Sequence, residues 1–115
     1  MLKEFLGATV TVTVDRPLGS RHPKFSDLVY TANYGFICGL LGGDGEEQDA
    51  YILGVDEPLS SFTGRVIAII HRLDDVEDKL VVAPEGMDFT REQIIEQTHF
   101  QERYFNGTVE IRRAK

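Results

Sequence analysis

Short extended segments separated by turn residues constrain the fold of this chain most strongly. Residues 8–14 alternate valine with threonine, as expected of a strand with one buried face. Further strands are predicted at residues 28–38, 49–55, 65–72, 79–83 and 108–112. Stretches that contain glycine or proline separate them, including a loop at 17–27 and a turn at 58–64. Short strands at this spacing favour a small barrel or a curled sheet.

One segment near the C-terminal end has the features of a helix. Thr90 and Gln93 stand at the spacing of a capping box, in which each residue satisfies a backbone amide of the other. The helix is predicted to run to about Phe105, where Asn106-Gly107 ends it. Strands followed by a single helix predict a mainly β fold, namely a small antiparallel OB-like barrel with one C-terminal α-helix. We expect residues 1–115 to form a single domain.

The composition excludes several classes of function. The 115 residues include 12 Lys plus Arg and 19 Asp plus Glu, a net charge of −7, which argues against nucleic acid as the main partner. The longest strongly apolar runs, such as 66–70, are far shorter than the roughly 20 residues of a membrane helix, so no membrane association is predicted. The single cysteine, Cys38, fits a cytoplasmic protein and is predicted to be a small core residue.

Two acidic clusters, at 44–49 and 74–78, are the most conspicuous candidate sites. Carboxylate oxygens suit hard cations such as Mg²⁺, and both clusters lie in predicted strand-to-strand loops that would open at one end of a small barrel. Either cluster taken alone is more often a solvated turn than a metal site. His22, His71 and His99 are widely separated, and we expect structural or surface roles for them.

The order of three motifs along the chain is more specific. They are YTANYGFI at 30–37, DGEEQD at 44–49, and an acidic loop that leads through Lys79 to Pro84. This order resembles that of the family I (soluble) inorganic pyrophosphatases, in which Y-P-x-N-Y-G-[FY]-I precedes D-G-D-P-x-D. The resemblance covers about residues 10 to 105.

The resemblance implies Mg²⁺-dependent hydrolysis of pyrophosphate to two phosphates, with Mn²⁺ as an alternative ion, and by analogy a homo-oligomer. The implied metal ligands are Asp15, Asp44, Asp49, Asp74 and Glu77. The implied catalytic residues are Tyr34, which would touch phosphate or the attacking water, and Glu46, which matches the general base. The implied substrate-binding residues are Lys24, Lys79 and Tyr104, with Arg16 and Arg21 as nearby substitutes for missing charge.

The chain departs from the family pattern in ways that affect the predicted site. Glu46-Glu47 replaces Asp-Pro, which lengthens by one methylene the side chain that matches the general base, and Phe105 stands where a phosphate-binding lysine is expected. A hairpin that brings an arginine to the phosphates is absent, because the chain passes from Lys24 almost directly to Tyr30. Ser26 stands in place of a glutamate.

Three functions therefore stay open at the level of sequence. The first is pyrophosphate hydrolysis. The second keeps the metal site but takes a larger phosphoanhydride or a phosphate ester, because loss of the hairpin would open one side of the cleft. The third is a non-catalytic binding or assembly module on the same fold. Tyr34 and Tyr104 would also serve as packing residues, and Lys24 and Arg21 as plain surface charges.

Overall fold

Five strands close into a barrel in the computed structural model, which describes residues 2–43, 45–74 and 77–111. After a 3₁₀ turn at Leu2–Phe5, the elements are β1 Thr9–Arg16, β2 Asn33–Leu41, β3 Glu47–Ile52, β4 Ser61–Arg72, β5 Lys79–Ala83, α1 Arg91–Glu102 and β6 Gly107–Ile111. The strand order is β1-β2-β3-β5-β4, and a β1–β4 pairing closes the ring. The sixth strand, β6, adds to β4 outside the ring. The predicted mainly β barrel with one helix near the C-terminal end is confirmed.

One pair of neighbouring strands in the barrel is parallel. Strand β3 runs parallel to β5, with Tyr51 opposite Val81, whereas the other neighbours are antiparallel. The parallel pairing requires a long connection between the two strands, and the twelve-residue strand β4 lies within it.

Successive side chains along each strand point to opposite faces of the sheet, so the strands contribute to two separate hydrophobic clusters. The barrel interior is filled by Val12, Val14, Ile37, Ala50, Ile52, Val66, Ile69, Leu80 and Val82. The outer face beneath α1 carries Leu28, Tyr30, Tyr34, Tyr51, Leu53, Ile67, Ile70, Val81 and Ile94. Neighbouring residues such as Tyr51 and Ile52 thus belong to different clusters, and both are fully buried.

The helix begins as the sequence predicts. The Thr90 Oγ1 accepts a hydrogen bond from the Gln93 amide at 3.1 Å, and the Gln93 Oε1 accepts one from the Thr90 amide at 2.8 Å. The helix ends at Glu102 and not at Phe105, because the carboxylate of Asp74 accepts the Asn106 amide and diverts the chain into β6. Within the described residues, no helix has the length and apolar character needed to cross a membrane.

Other predictions of local structure are corrected by tertiary contacts. Strand β2 begins at Asn33 and not at 28, since residues 28–30 hydrogen-bond back to the preceding loop. The predicted turn at 58–64 is already strand from Ser61 onward, because this segment pairs with β1. Cys38 is exposed and not a core residue, because Ile37 before it faces the barrel interior.

Two residues of the 30–37 motif hold the scaffold together. The buried Asn33 accepts hydrogen bonds from the amides of Leu18 and Leu59 and donates one to the Glu57 carbonyl, so it ties two loops to the start of β2. Gly35 lies so close to β1 that an added Cβ would stand 1.9 Å from the Thr13 carbonyl oxygen. This part of the motif is structural.

We expect Gly35→Ala to lower the free energy of unfolding by about 3 kcal/mol, because the methyl group would force β1 and β2 apart. Urea unfolding monitored by circular dichroism measures the change. Cys38→Ser, on the exposed face of the same strand, is the matched control and should shift stability by less than about 0.5 kcal/mol. Equal stability of Gly35→Ala and wild type would contradict this account.

Candidate active site

A cleft of about 810 Å³ opens on the outer face of the barrel, beside the C-terminal end of α1. The parallel register of β3 and β5 places Ala50 opposite Leu80, so the preceding residues, Asp49 and Lys79, are neighbours at the end of the sheet. Tyr34 on β2 pairs with Tyr51 and points to the same face. Three predicted site residues from three strands therefore meet in this cleft.

The ammonium group of Lys79 is the centre of this arrangement. Its Nζ donates to the Asp49 Oδ2 at 2.7 Å and to the Glu77 Oε1 at 2.6 Å. The Lys79 side chain is only 3% exposed, whereas both carboxylates are about 30% exposed. A buried cation is costly unless it is paired. The two carboxylates supply that pairing and turn their remaining surface towards the cleft.

Tyr34 completes the group around Asp49. Its Oη donates to the Asp49 Oδ2 at 2.9 Å. Burial, together with the charge of Asp49, raises the pKa of the Tyr34 phenol well above its ordinary value. The hydroxyl therefore remains protonated at neutral pH and acts as a donor to the carboxylate.

Several other predicted residues line the same cleft. They are Asp15, Arg16, Lys24 and Tyr104. Asp15 is exposed at the end of β1, yet partial loss of solvation raises the pKa of its carboxyl, Arg16 opposes this shift, and the charge of Asp49 adds to it. The cleft thus joins acids from β1, β3 and the β4–β5 loop with cations from β5 and from the loop after β1.

Three other predicted residues, Arg21, Asp74 and Glu46, lie outside the cleft lining. Arg21 is exposed and donates to the Ser26 carbonyl at 2.8 Å, outside the cleft lining. Asp74 binds the Asn106 amide. Glu46 is exposed in the loop before β3 and is also outside the lining. Asp44 lies outside the described residues.

An ion pair that the sequence analysis missed forms one wall of the cleft. The Arg72 guanidinium donates to the two carboxylate oxygens of Glu102 at 3.0 and 2.6 Å, and it lies 3.6 Å from the centroid of the Phe105 ring. Burial disfavours the charged form, but the hydrogen bonds to Glu102 outweigh it and raise the pKa of Arg72. No motif marks Arg72, because its partners come from another element.

A chain of hydrogen bonds continues from Glu102 across the cleft floor. Arg16 donates to the Tyr30 hydroxyl at 2.7 Å, which donates to the Gln101 Oε1 at 2.8 Å. The Gln101 amide donates to the Tyr51 hydroxyl at 2.8 Å, and Tyr51 donates to Glu102. Buried polar networks of this kind fix one arrangement when their members are satisfied. This chain holds the helix against the barrel.

His22 organises the loop that carries Lys24. Its Nδ1 accepts hydrogen bonds from the amides of Lys24 and Phe25, at 3.0 and 3.3 Å. Loss of solvation, followed by the charges of Arg16 and Lys24, lowers the pKa of His22. The neutral ring is therefore the form that maintains this wall of the cleft.

The carboxylates of the cleft fit a hard divalent cation that binds together with a phosphate ligand. Mg²⁺ usually takes one or two protein carboxylates and completes its shell with waters and phosphate oxygens. Asp49 and Glu77, which already converge on one ammonium, offer this donor set. In residues 2–43, 45–74 and 77–111, no group of three or more His, Cys, Asp or Glu side chains is placed to hold a metal ion.

Solved structures of inorganic pyrophosphatases share this architecture. The protein from Ehrlichia chaffeensis matches with a TM-score of 0.70 and 16% identity, over 92% of this chain and 87% of that chain. The protein from Neisseria gonorrhoeae matches with a TM-score of 0.63 and 21% identity, over 98% of this chain and 88% of that chain. The chain has an inorganic pyrophosphatase fold. No protein-family model and no curated protein matches its sequence.

Within this pyrophosphatase fold, Arg72 supplies a positive charge close to the position where the family pattern has a lysine that this chain lacks. The resemblance places a lysine at position 105, where this chain has Phe105. The guanidinium of Arg72 lies over the ring of that phenylalanine and lines the cleft. A cation is thus present beside position 105, although β4 supplies it.

We expect Glu102→Gln to destabilise the protein by about 3 to 5 kcal/mol, because it removes the charge that pairs with the buried Arg72 guanidinium at two points while keeping an acceptor for Tyr51. Urea unfolding measures the loss. Glu96→Gln, at an exposed position of the same helix, is the control and should be nearly neutral. The double variant Arg72→Met, Glu102→Gln should recover most of the stability. A double variant as unstable as Glu102→Gln would contradict the ion-pair account.

We expect the pH dependence of stability to carry a contribution from His22. Because its folded pKa lies below the ordinary 6.5, its stabilisation is complete above about pH 6.5 and is lost as the pH falls through the folded value. His22→Asn keeps an acceptor near the Nδ1 position but does not titrate. As the pH falls from 7.5 to 5, the unfolding free energy of the wild type should therefore decrease relative to that of His22→Asn. A pH-independent difference would exclude this role.

Proposed function

We propose that this protein hydrolyses pyrophosphate to two phosphates with the help of Mg²⁺, for which Mn²⁺ is an alternative. The observation that carries the proposal is the buried Lys79 ammonium between Asp49 and Glu77, in the cleft of a pyrophosphatase fold. Pyrophosphate is a polyanion, so an acidic cleft binds it only with cations between the carboxylates and the phosphates. The site joins both kinds of charge.

In this proposal, Asp49 and Glu77 hold the divalent cation, and Asp44 is the predicted ligand that joins them. When bound, the cation neutralises phosphate charge and lowers the pKa of the attacking water. We leave Asp74 out of the proposed ligand set, because it lies outside the cleft lining and its carboxylate accepts the Asn106 amide. The ligand set is thus smaller than the five acids that the sequence predicts.

The chain's own residues then bind the phosphates and move the proton. Lys79 on β5, Lys24 in the loop after β1 and Arg16 on β1 contribute positive charge to the cleft lining. Asp15 lines the cleft together with Asp49 and is the proposed acceptor for the proton of the attacking water, a role that the raised pKa of its carboxyl favours. It takes the role that the sequence assigned to Glu46, which is exposed outside the lining.

Tyr34 and Tyr104 have different positions in this proposal. The protonated Tyr34 orients Asp49 through its hydrogen bond and keeps that carboxylate towards the cleft. Tyr104 stands at the rim, where its hydroxyl accepts a hydrogen bond from Arg103 at 2.9 Å and reaches phosphate from outside. Arg21 stays a loop-stabilising residue.

The proposal also covers the domain organisation, the location and the partners of the protein. We propose a single domain over residues 1–115 that acts in the cytoplasm as a homo-oligomer, without nucleic acid or membrane as a partner. The net charge of −7 supports the absence of nucleic acid. Leu41 and Leu73 are 65% and 71% exposed and would be covered by contacts between subunits.

We expect Asp49→Asn to lower Mg²⁺-dependent phosphate release from pyrophosphate by about 100-fold or more, because it removes a cation ligand and a partner of Lys79. Colorimetric phosphate detection over a Mg²⁺ titration measures the rate. Asp56→Asn, an exposed residue outside the cleft lining, is the matched control and should retain wild-type activity.

Thermal unfolding of Asp49→Asn separates loss of chemistry from loss of fold, because Glu77 still pairs with Lys79 in this variant. A folded wild-type protein that releases no phosphate with either Mg²⁺ or Mn²⁺ would refute the proposal. It would then favour the non-catalytic module that shares this fold.

A further inference from the structure

The rim of the cleft is aromatic, which inorganic pyrophosphate does not require. Phe25 is 64% exposed and Tyr104 is 59% exposed, and both line the cleft whose deep end holds Lys79 and Asp49. Large exposed aromatic side chains that border a cleft are typical of a ligand-binding surface. The cleft therefore has a charged floor and an apolar rim.

The exposed ring of Phe25 is held in position. The Phe25 ring packs against the His22 ring with centroids 5.0 Å apart, and its backbone amide and carbonyl bond to the His22 Nδ1 and the Leu28 amide. The ring of Tyr104 is flanked by the Arg103 guanidinium, 5.0 Å from its centroid. Each ring thus has a neighbour that restricts its position, and each is more than half exposed in the cleft lining.

The size of the cleft is also consistent with an organic ligand. Its volume of about 810 Å³ lies in the range of roughly 300 to 1,000 Å³ that is usual for pockets holding organic ligands. The chain also lacks a segment between Lys24 and Tyr30 that the family pattern contains, and Phe25 stands in this short connection. A flat organic group attached to the phosphates would fill the space above the charged floor.

We propose that the cleft takes a nucleoside diphosphate, with the base stacked on Phe25 and Tyr104 and the two phosphates at Lys79 and Lys24. Aromatic side chains stack on bases of any sequence, because every base has a π face. This inference rests on the proposed function, since it uses the same cation site and the same attacking water. It adds the class of substrate.

The reaction is hydrolysis of the phosphoanhydride. The water oxygen forms a bond to the β-phosphorus, and the bond from that phosphorus to the bridging oxygen breaks. The bridging oxygen leaves on the α-phosphate, so the products are a nucleoside monophosphate and inorganic phosphate. The proton of the water passes to Asp15 and then to solvent. No oxidant or further reactant is needed.

The kinetics of Phe25 variants on three substrates test the inference. Values of kcat/KM are measured for ADP, for pyrophosphate and for tripolyphosphate, a longer phosphoanhydride that has no base. We expect Phe25→Ala to lower kcat/KM for ADP by about tenfold and to leave both base-free substrates within about twofold. Phe25→Tyr keeps an aromatic ring and should act on ADP like the wild type.

The outcomes separate this inference from the proposed function. Hydrolysis of pyrophosphate without hydrolysis of ADP overturns the inference and leaves the proposed function standing. Equal losses on all three substrates in Phe25→Ala, with a changed molar mass in light scattering, would overturn it by making Phe25 a subunit contact. If neither ADP nor pyrophosphate is hydrolysed, calorimetric titration with ADP and Mg²⁺ decides. Binding weakened about tenfold in Phe25→Ala supports the stacking site, and absence of binding to the wild type overturns it.

Discussion

A buried lysine ammonium is the constraint on which the candidate site depends. Lys79 is almost fully enclosed, so its charge requires acidic partners at hydrogen-bond distance, and Asp49 and Glu77 provide them. The parallel register of β3 and β5 brings Asp49 beside Lys79, while the loop before β5 brings Glu77. The pairing that stabilises the buried cation thereby gathers two carboxylates at the floor of one cleft.

The second ion pair explains how the helix becomes a wall of that cleft. Arg72 at the end of β4 and Glu102 at the end of α1 form a two-point contact, and the hydrogen-bond chain from Glu102 reaches back to Arg16 on β1. Helix and barrel are thus joined through polar groups as well as through the aromatic cluster around Tyr51. The same contacts position the cation of Arg72 over Phe105.

Local features were predictable from the sequence, whereas the features that depend on distant partners were not. The alternation of residues 8–14 and the capping box at Thr90 are encoded within a few residues, and both are observed. The placements of Arg72 over Phe105 and of Asp74 on the Asn106 amide depend on contacts across more than 30 positions. Motif order indicated the cleft residues Asp49, Glu77 and Lys79, of which Asp49 and Lys79 begin predicted strands and Glu77 lies in the acidic loop before the second of them. Glu46 belongs to the same motif as Asp49, yet it is exposed and outside the cleft lining.

The fate of pyrophosphate itself tests the central claim most directly. Phosphorus NMR of pyrophosphate with the wild-type protein and Mg²⁺ should show the pyrophosphate resonance replaced by that of inorganic phosphate, with two phosphates formed per molecule consumed. Addition of EDTA should stop the conversion. A pyrophosphate resonance that persists with Mg²⁺, or that decays equally with EDTA, would contradict the assignment of the Asp49, Glu77 and Lys79 cluster as a cation-dependent phosphate site.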